Sequence, residues 1–328
     1  MRLRYCLLMG LALLAAALAG WSAEKPLAYT CQRNATAPTL DGAIAGDPGW
    51  ANIPGATGYH RLGGDYTMAK QTTAYVTWDA DSLWIGIMAE EPDIAQVKPT
   101  QRDNGDCWLD DGVEIFVQPE GRGPYQFVVT TAGARCAYQS YRGLEGWAAQ
   151  TSLTDNAYSI EIRVSFKLFE VTPQDGSVWH ANCCRNIFTT NSGGDKFTTW
   201  APLVSQFLEP EHFPVLRFSA EALSPADCEQ AQAVLNAPYR AVLTKEIADL
   251  AASAKQYLPF LKQVADDPKY KQRAAPLLEG WDKVVQLQRH AAQAPLPEVR
   301  QSLSQSQRLR EASHEFQYSV LIERLFED

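Results

Sequence analysis

Along residues 24–218 apolar and polar positions alternate with a period of two. Tyr158, Ile160, Ile162, Val164 and Phe166 interleave with Ser159, Glu161, Arg163 and Ser165, the pattern of a strand with one buried face. Ala74 to Trp78 and Leu83 to Ala89 flank Asp79-Ala-Asp-Ser82, a hairpin signal. Val113 to Val117, Gln126 to Thr130 and Ala181 to Phe188 add further strands. Many short strands joined by glycine-rich turns predict an antiparallel β-sandwich, jelly-roll-like, over residues 24–218.

Near residue 219 the period changes. Of the 19 glycines beyond residue 23 only Gly280 lies after this point, so the turn-rich part ends here and a different architecture begins. Ser224-Pro225 and Asp267-Pro268 each place a capping residue before a proline suited to a first helical position. Val242, Ile247, Leu250 and then Leu258, Leu261, Val264 recur at helical spacing, and a last periodic segment runs from about Pro297 to Phe326. Residues 219–328 are therefore predicted as three helices in a hairpin or small bundle, with Pro238 and Pro259 as kinks or breaks. Their glutamine and alanine content also allows a partly extended coiled coil.

Residues 1–23 carry Arg2 and Arg4 before an apolar run that ends in small residues. That is the form of a secretory signal, and it predicts export to the periplasm, cell surface or medium; retention as an N-terminal membrane anchor is the other use of such a segment. The formal net charge of −9 leaves no basic surface for a polyanion, so nucleic acid is excluded as a partner class.

Six cysteines lie beyond the leader: Cys31, Cys107, Cys136, Cys183, Cys184 and Cys228. If 112–118 and 125–131 form a hairpin about Gly121-Arg122-Gly123, positions summing to 243 face each other. Cys107 and Cys136 satisfy that sum, so a cross-strand disulfide is expected if the ladder runs so far without a bulge; buried free thiols are the alternative. No histidine stands at zinc spacing from Cys183-Cys184.

The densest candidate chemistry is Asp106-Cys-Trp-Leu-Asp-Asp-Gly-Val-Glu114. Trp108 beside Asp110, Asp111 and Glu114 would join a flat apolar face to hydrogen-bond acceptors. A sugar needs that combination, because its C–H face stacks while its hydroxyls bond in the ring plane. On physics alone Trp108 reads as core somewhat more than as a ligand platform. The acids also admit a glycoside hydrolase using Asp110, Asp111 or Glu114, or a structural calcium site. No Ser-His-Asp context, phosphate loop or dinucleotide fingerprint is present.

At these residues the chain resembles the family 9 carbohydrate-binding modules. The matching pieces run in order: Pro38 to Gly42 with Trp50; Ala74 to Asp79 with Leu83-Trp84; Trp108 to Phe116; Tyr158 to Ile162; Trp179 to Asn182; Thr199 to Pro202; and Phe213 to Phe218. The resemblance implies a β-sandwich over about residues 28–218. It also implies an aromatic clamp on a terminal sugar made by Trp108 and Phe207, with Glu114 reading hydroxyls and Asp111 beside it. At other family polar positions this chain has Val128, Thr130 and Cys184. Family members often bind Ca2+, for which Asp41 and Asp47 are the acids nearest the opening motif. The expectation is an exported, non-catalytic protein that binds an oligo- or polysaccharide. Its helical segment would serve spacing, docking, a protein partner or self-association. The alternatives are the hydrolase and a structural protein whose sandwich no longer binds sugar.

Overall fold

The structure is a computed structural model describing residues 27–34, 36–67, 70–189 and 195–326. The leader reading falls on residues 1–23, outside the described residues. Among those described, no helix is long and apolar enough to cross a membrane.

Among the described residues the strands are β1 Ala28–Arg33, β2 His60–Arg61, β3 Thr72–Trp78, β4 Ser82–Glu90, β5 Gly112–Gln118, β6 Tyr125–Thr130, β7 Arg135–Gln139, β8 Trp147–Leu153, β9 Ala157–Ser165, β10 Val178–Asn186, β11 Phe197–Thr199 and β12 Val215–Ser219, and the alternating segments read from the sequence are β3, β4, β5, β6, β9 and β10. They join in one sheet of order β7-β6-β5-β10-β12-β1-β3-β4-β9-β8, with β11 pairing β10 and β2. The sheet folds over a core to which Ile85, Ile87, Val113, Ile115, Phe127, Ile160, Ile162, Trp179 and Phe218 all contribute. Its two edges approach each other. From β7, Arg135 donates to the Trp147 carbonyl on β8 at 2.8 Å and lies 5.2 Å from that indole, nearly closing the roll.

The expectation of an antiparallel jelly roll is corrected here. β1 runs parallel to β12, with Tyr29 opposite Leu216, and parallel to β3, with Gln32 opposite Thr77, so the sheet is mixed. Period-two patterning sets which face a strand buries. It carries no information on strand direction.

One buried carboxylate ties distant segments onto the outside of the sheet. Glu161 on β9 accepts from the amides of Asp41 (2.9 Å) and Gly42 (2.6 Å) and from Trp50 Nε1 (2.6 Å). Gly42 has φ +89°, and a Cβ there would meet the Thr151 backbone at 2.5 Å, so the loop approaches this closely only with glycine. The Trp50 ring then packs with Ile44, Ile53 and Trp84 over β4.

The helical part contains four helices after the single turn α1, Phe166–Phe169: α2 Pro225–Leu235, α3 Ala237–Ala265, α4 Lys271–His290 and α5 Leu296–Leu325. Three were expected. Asn236 and Pro238 divide the first into two, because a proline suits the start of a new helix and not the interior of an old one. Ser224 caps α2 by accepting from the Asp227 amide, as its sequence suggests. Asp267 lies in the turn before α4 and accepts from the Lys269 amide instead. Pro259 stays inside α3 without ending it. The three long helices share a core around Leu243, Tyr257, Trp281, Leu303 and Phe316, a bundle and not an extended coiled coil.

The bundle docks on the sheet through named polar contacts. Asn236 donates to the Gly55 carbonyl (2.8 Å) and accepts from the Thr57 amide (2.9 Å), while Arg300 pairs with Glu90.

Replacing Glu161 leaves two buried donors, the Gly42 amide and Trp50 Nε1, and the part-buried Asp41 amide without their acceptor. Glu161→Ala is expected to lower unfolding free energy by about 3 kcal/mol in urea titrations, and a loss below about 1 kcal/mol would contradict the clasp.

Candidate functional site

Strand pairing places the candidate residues before any side-chain contact is considered. On β5, Val113, Ile115 and Val117 face the core, so Gly112, Glu114 and Phe116 face outward. Residues opposite one another share a face. Glu114 therefore shares its face with Val128 of β6 and Cys184 of β10, Phe116 with Gln126, Gly112 with Asn186, and Asn186 with Phe197 of β11. Tyr138 and Cys136 of β7 continue it.

Glu114 lies at the floor, only 5% exposed. One carboxylate oxygen accepts from Asn186 Nδ2 at 2.8 Å and the other from Gln126 Nε2 at 2.7 Å. Burial pushes its carboxyl above the usual range, and the two amide donors partly offset this. Asn186 Oδ1, beside Glu114, is buried and has no hydrogen-bond partner among the described residues.

Aromatic rings stand on both sides of this floor. On the β7 side Trp108, 36% exposed, meets Tyr138 edge to face at 5.0 Å. On the β10 and β11 side Phe188 meets Phe197 at 6.2 Å and Phe197 meets Phe207 at 6.0 Å, each edge to face. Phe197 is the most open of these, at 41%. Phe207 is half-buried and packs against the cluster of Phe116, Cys184, Leu203 and Phe213. Trp108 is thus at the surface and not in the core. Its ring neighbour is on β7 and that of Phe207 is on β11, with Glu114 between them.

Two carboxylates shape the rims. Asp111 is buried and accepts from the Phe188 amide at 2.9 Å; burial pushes its carboxyl up while that amide opposes the shift. Glu209 folds the loop bearing Phe207 around itself. It accepts from the amides of Val204 (2.8 Å), Ser205 (2.7 Å) and Gln206 (3.1 Å) and from the Ser205 hydroxyl. Those donors, Val204 foremost, hold its carboxyl down to about 2.

The remaining acids have other tasks. Asp110 accepts from the amides of Thr100 and Gln101 and from the Thr100 hydroxyl, tying that segment to the end of the Trp108 turn. Asp47 accepts from the Thr39 amide and caps the turn Pro48–Trp50 through Gly49, and Asp41 accepts from Ala43. These carboxylates are turned toward backbone donors. Among the described residues no three His, Cys, Asp or Glu side chains gather at one point.

Sequence reasoning did not find Gln126, Asn186, Tyr138, Phe188 or Phe197. Gln126 was legible as the outward residue between Tyr125 and Phe127, and Asn186 as the outward residue two beyond Cys184. The hairpin register was nearly right: β5 and β6 pair at a sum of 242, as in Gly112 opposite Thr130. The ladder itself stops there, which corrects the route proposed for Cys107 and Cys136. β6 ends at Thr130, the chain turns back as β7, and Cys107 sits in the turn Cys107–Leu109 outside any strand.

The profile of the family described as carbohydrate family 9 binding domain-like matches residues 40–217, more than half of the chain. The chain belongs to this family. Among solved structures, similar ones include a protein from Bacteroides uniformis ATCC 8492, at 16% identity and TM-score 0.48, covering 60% of this chain and 100% of the other. Another is a family 9 carbohydrate-binding module from Caldicellulosiruptor kristjanssonii in complex with glucose, at 13% identity and TM-score 0.45, covering 60% and 98%. The cellotriose complex of a module from the same organism gives 14% identity and TM-score 0.45 with the same coverage. No curated protein matches.

Because the Glu209 carboxyl lies below its ordinary value of 4.5, its contribution is present above that pH and is lost as pH falls through about 2. Glu209→Ala should raise amide exchange at Val204, Ser205 and Gln206 about tenfold at neutral pH. Unchanged protection would show that another contact shapes the loop.

Proposed function

We propose that this chain is an exported, non-catalytic carbohydrate-binding protein. A saccharide would lie over Glu114 and stack on Trp108, with the Phe197 and Phe207 rings forming the opposite wall. The observation that carries this reading is the outward face itself. A desolvated carboxylate sits between two oriented amides, with an unused amide oxygen beside it and exposed aromatic rings on either side. Membership of a family described as carbohydrate-binding supports the same reading.

The chemistry of the parts is complementary to a sugar. Glu114 and Asn186 Oδ1 are acceptors for hydroxyl donors, and the amide groups orient them in advance. Indole and phenyl faces take the apolar C–H face of a pyranose ring. Phenylalanine offers less area than tryptophan and no N–H, so Trp108 is assigned the larger share of the stacking.

Trp108→Ala should lower affinity at least tenfold, about 1.4 kcal/mol, for whichever soluble polysaccharide retards the protein in affinity gels. Retardation equal to wild type would remove Trp108 from the site. Because the Glu114 carboxyl is raised and acts here as an acceptor, binding should weaken as pH falls, beginning above the ordinary value of 4.5. Glu114→Gln should bind more weakly at neutral pH and lose this pH dependence. Binding constant down to pH 4 in the wild type would contradict the role of Glu114.

A further inference from the structure

The turn that carries Trp108 wraps the free edge of the sheet. The Asn104 amide donates to the Arg135 carbonyl at 2.9 Å, the Arg135 amide donates to Asp103 Oδ1 at 2.9 Å, and the Tyr138 hydroxyl donates to the Gly105 carbonyl at 2.9 Å. β7 is the terminal strand of the sheet, so this segment covers its otherwise unpaired backbone. Cys107 follows directly and tucks beneath the turn. It is fully buried in a small cluster with Val128 and Cys136, and both cysteines are free thiols in this structure. Both side chains pack with Val128 in that cluster, and the Cys107 thiol donates to the Arg102 carbonyl at 3.6 Å.

We propose that Cys107 and Cys136 are a disulfide-forming pair whose bridge fastens the Trp108 turn to the edge strand β7. Cys107 is the residue before Trp108, and Cys136 lies two before Tyr138, the ring against which Trp108 packs. A bond between the sulfurs would therefore fix both partners of the ring pair at once. It would close a loop spanning β5 and β6, restricting the unfolded chain as well as the turn. Neither residue has another cysteine in its cluster, whereas Cys183 and Cys184 are sequence neighbours whose side chains point to opposite faces of β10.

The chemistry needs an oxidant, here a small-molecule disulfide such as oxidised glutathione. One of the two thiols, taken as Cys136, is the attacking sulfur once its proton has gone to solvent. It displaces one glutathione thiolate to give a mixed disulfide. Cys107, losing its proton to solvent, displaces the second glutathione. One protein S–S bond forms, two protein thiols are oxidised, and the small disulfide is reduced to two thiols.

The bridge stands whether or not the site takes a sugar; only its meaning for ligand stacking rests on the proposed function. The full chain is refolded in a glutathione redox buffer, alkylated and digested with trypsin without reduction. The expected product is residues 103–122 linked to residues 136–142, two hydrogens lighter than the separate peptides. Both peptides recovered alkylated, or either cysteine linked elsewhere, would overturn the pairing. Amide exchange at Leu109 and Asp110, whose N–H groups close the turn, should then rise about tenfold when the oxidised protein is reduced. An unchanged rate would overturn the fastening. Cys107→Ser should exchange like the reduced wild type, and the reduced wild type supplies the comparison if that variant does not fold.

Discussion

The outward face of β5 is organised around a carboxylate taken almost wholly out of water. An ionised group with so little exposure is tolerated only where oriented donors replace its hydration. Glu114 receives one donor from each neighbouring strand, Gln126 on β6 and Asn186 on β10. Strand register and site geometry are thus the same fact. A slip of one residue in either pairing would turn the donor into the core and leave Glu114 buried without it. Everything else on this face is arranged about that fixed point: aromatic rims on both sides, and a floor closed by Val128 and Cys184.

The rims depend on segments that are not strands, and each is held by a local device. Backbone contacts to Arg135 and the Tyr138 hydroxyl hold the Trp108 turn against β7. The Phe207 loop is wound on the Glu209 carboxylate, and the Asp111 carboxylate holds the Phe188 backbone. The rolled sheet supplies the rigid base on which these loops are held. The helical bundle lies elsewhere. It docks through Asn236 and Arg300 at Gly55 and Glu90, not on β5, which bears Glu114, or on the turn that bears Trp108.

Much of this was legible in the sequence because it depends on local patterning. The outward aim of Glu114 follows from the apolar residues at 113 and 115, and the β-to-helix change at 219 follows from glycine usage and the Ser224-Pro225 cap. What escaped was non-local. The direction of β1 leaves no mark on its own residues, so the parallel pairing could not be read. Cys107 and Cys136 were rightly placed near each other, but by a ladder that in fact ends at Thr130; the chain reaches the same proximity by wrapping an edge. The second aromatic wall was read as Phe207 alone, because the pairing of β10 with the three-residue β11 that sets Phe197 opposite Asn186 is too short to carry a pattern.

The most direct test of the account is a structure of the full chain bound to an oligosaccharide selected by glycan array. A sugar ring is predicted face-on to the Trp108 indole, with at least one hydroxyl hydrogen-bonded to Glu114 and the far side of the ring toward Phe197 or Phe207. A saccharide bound elsewhere on the molecule, with Trp108 uncovered and Glu114 still contacted only by Asn186 and Gln126, would contradict it.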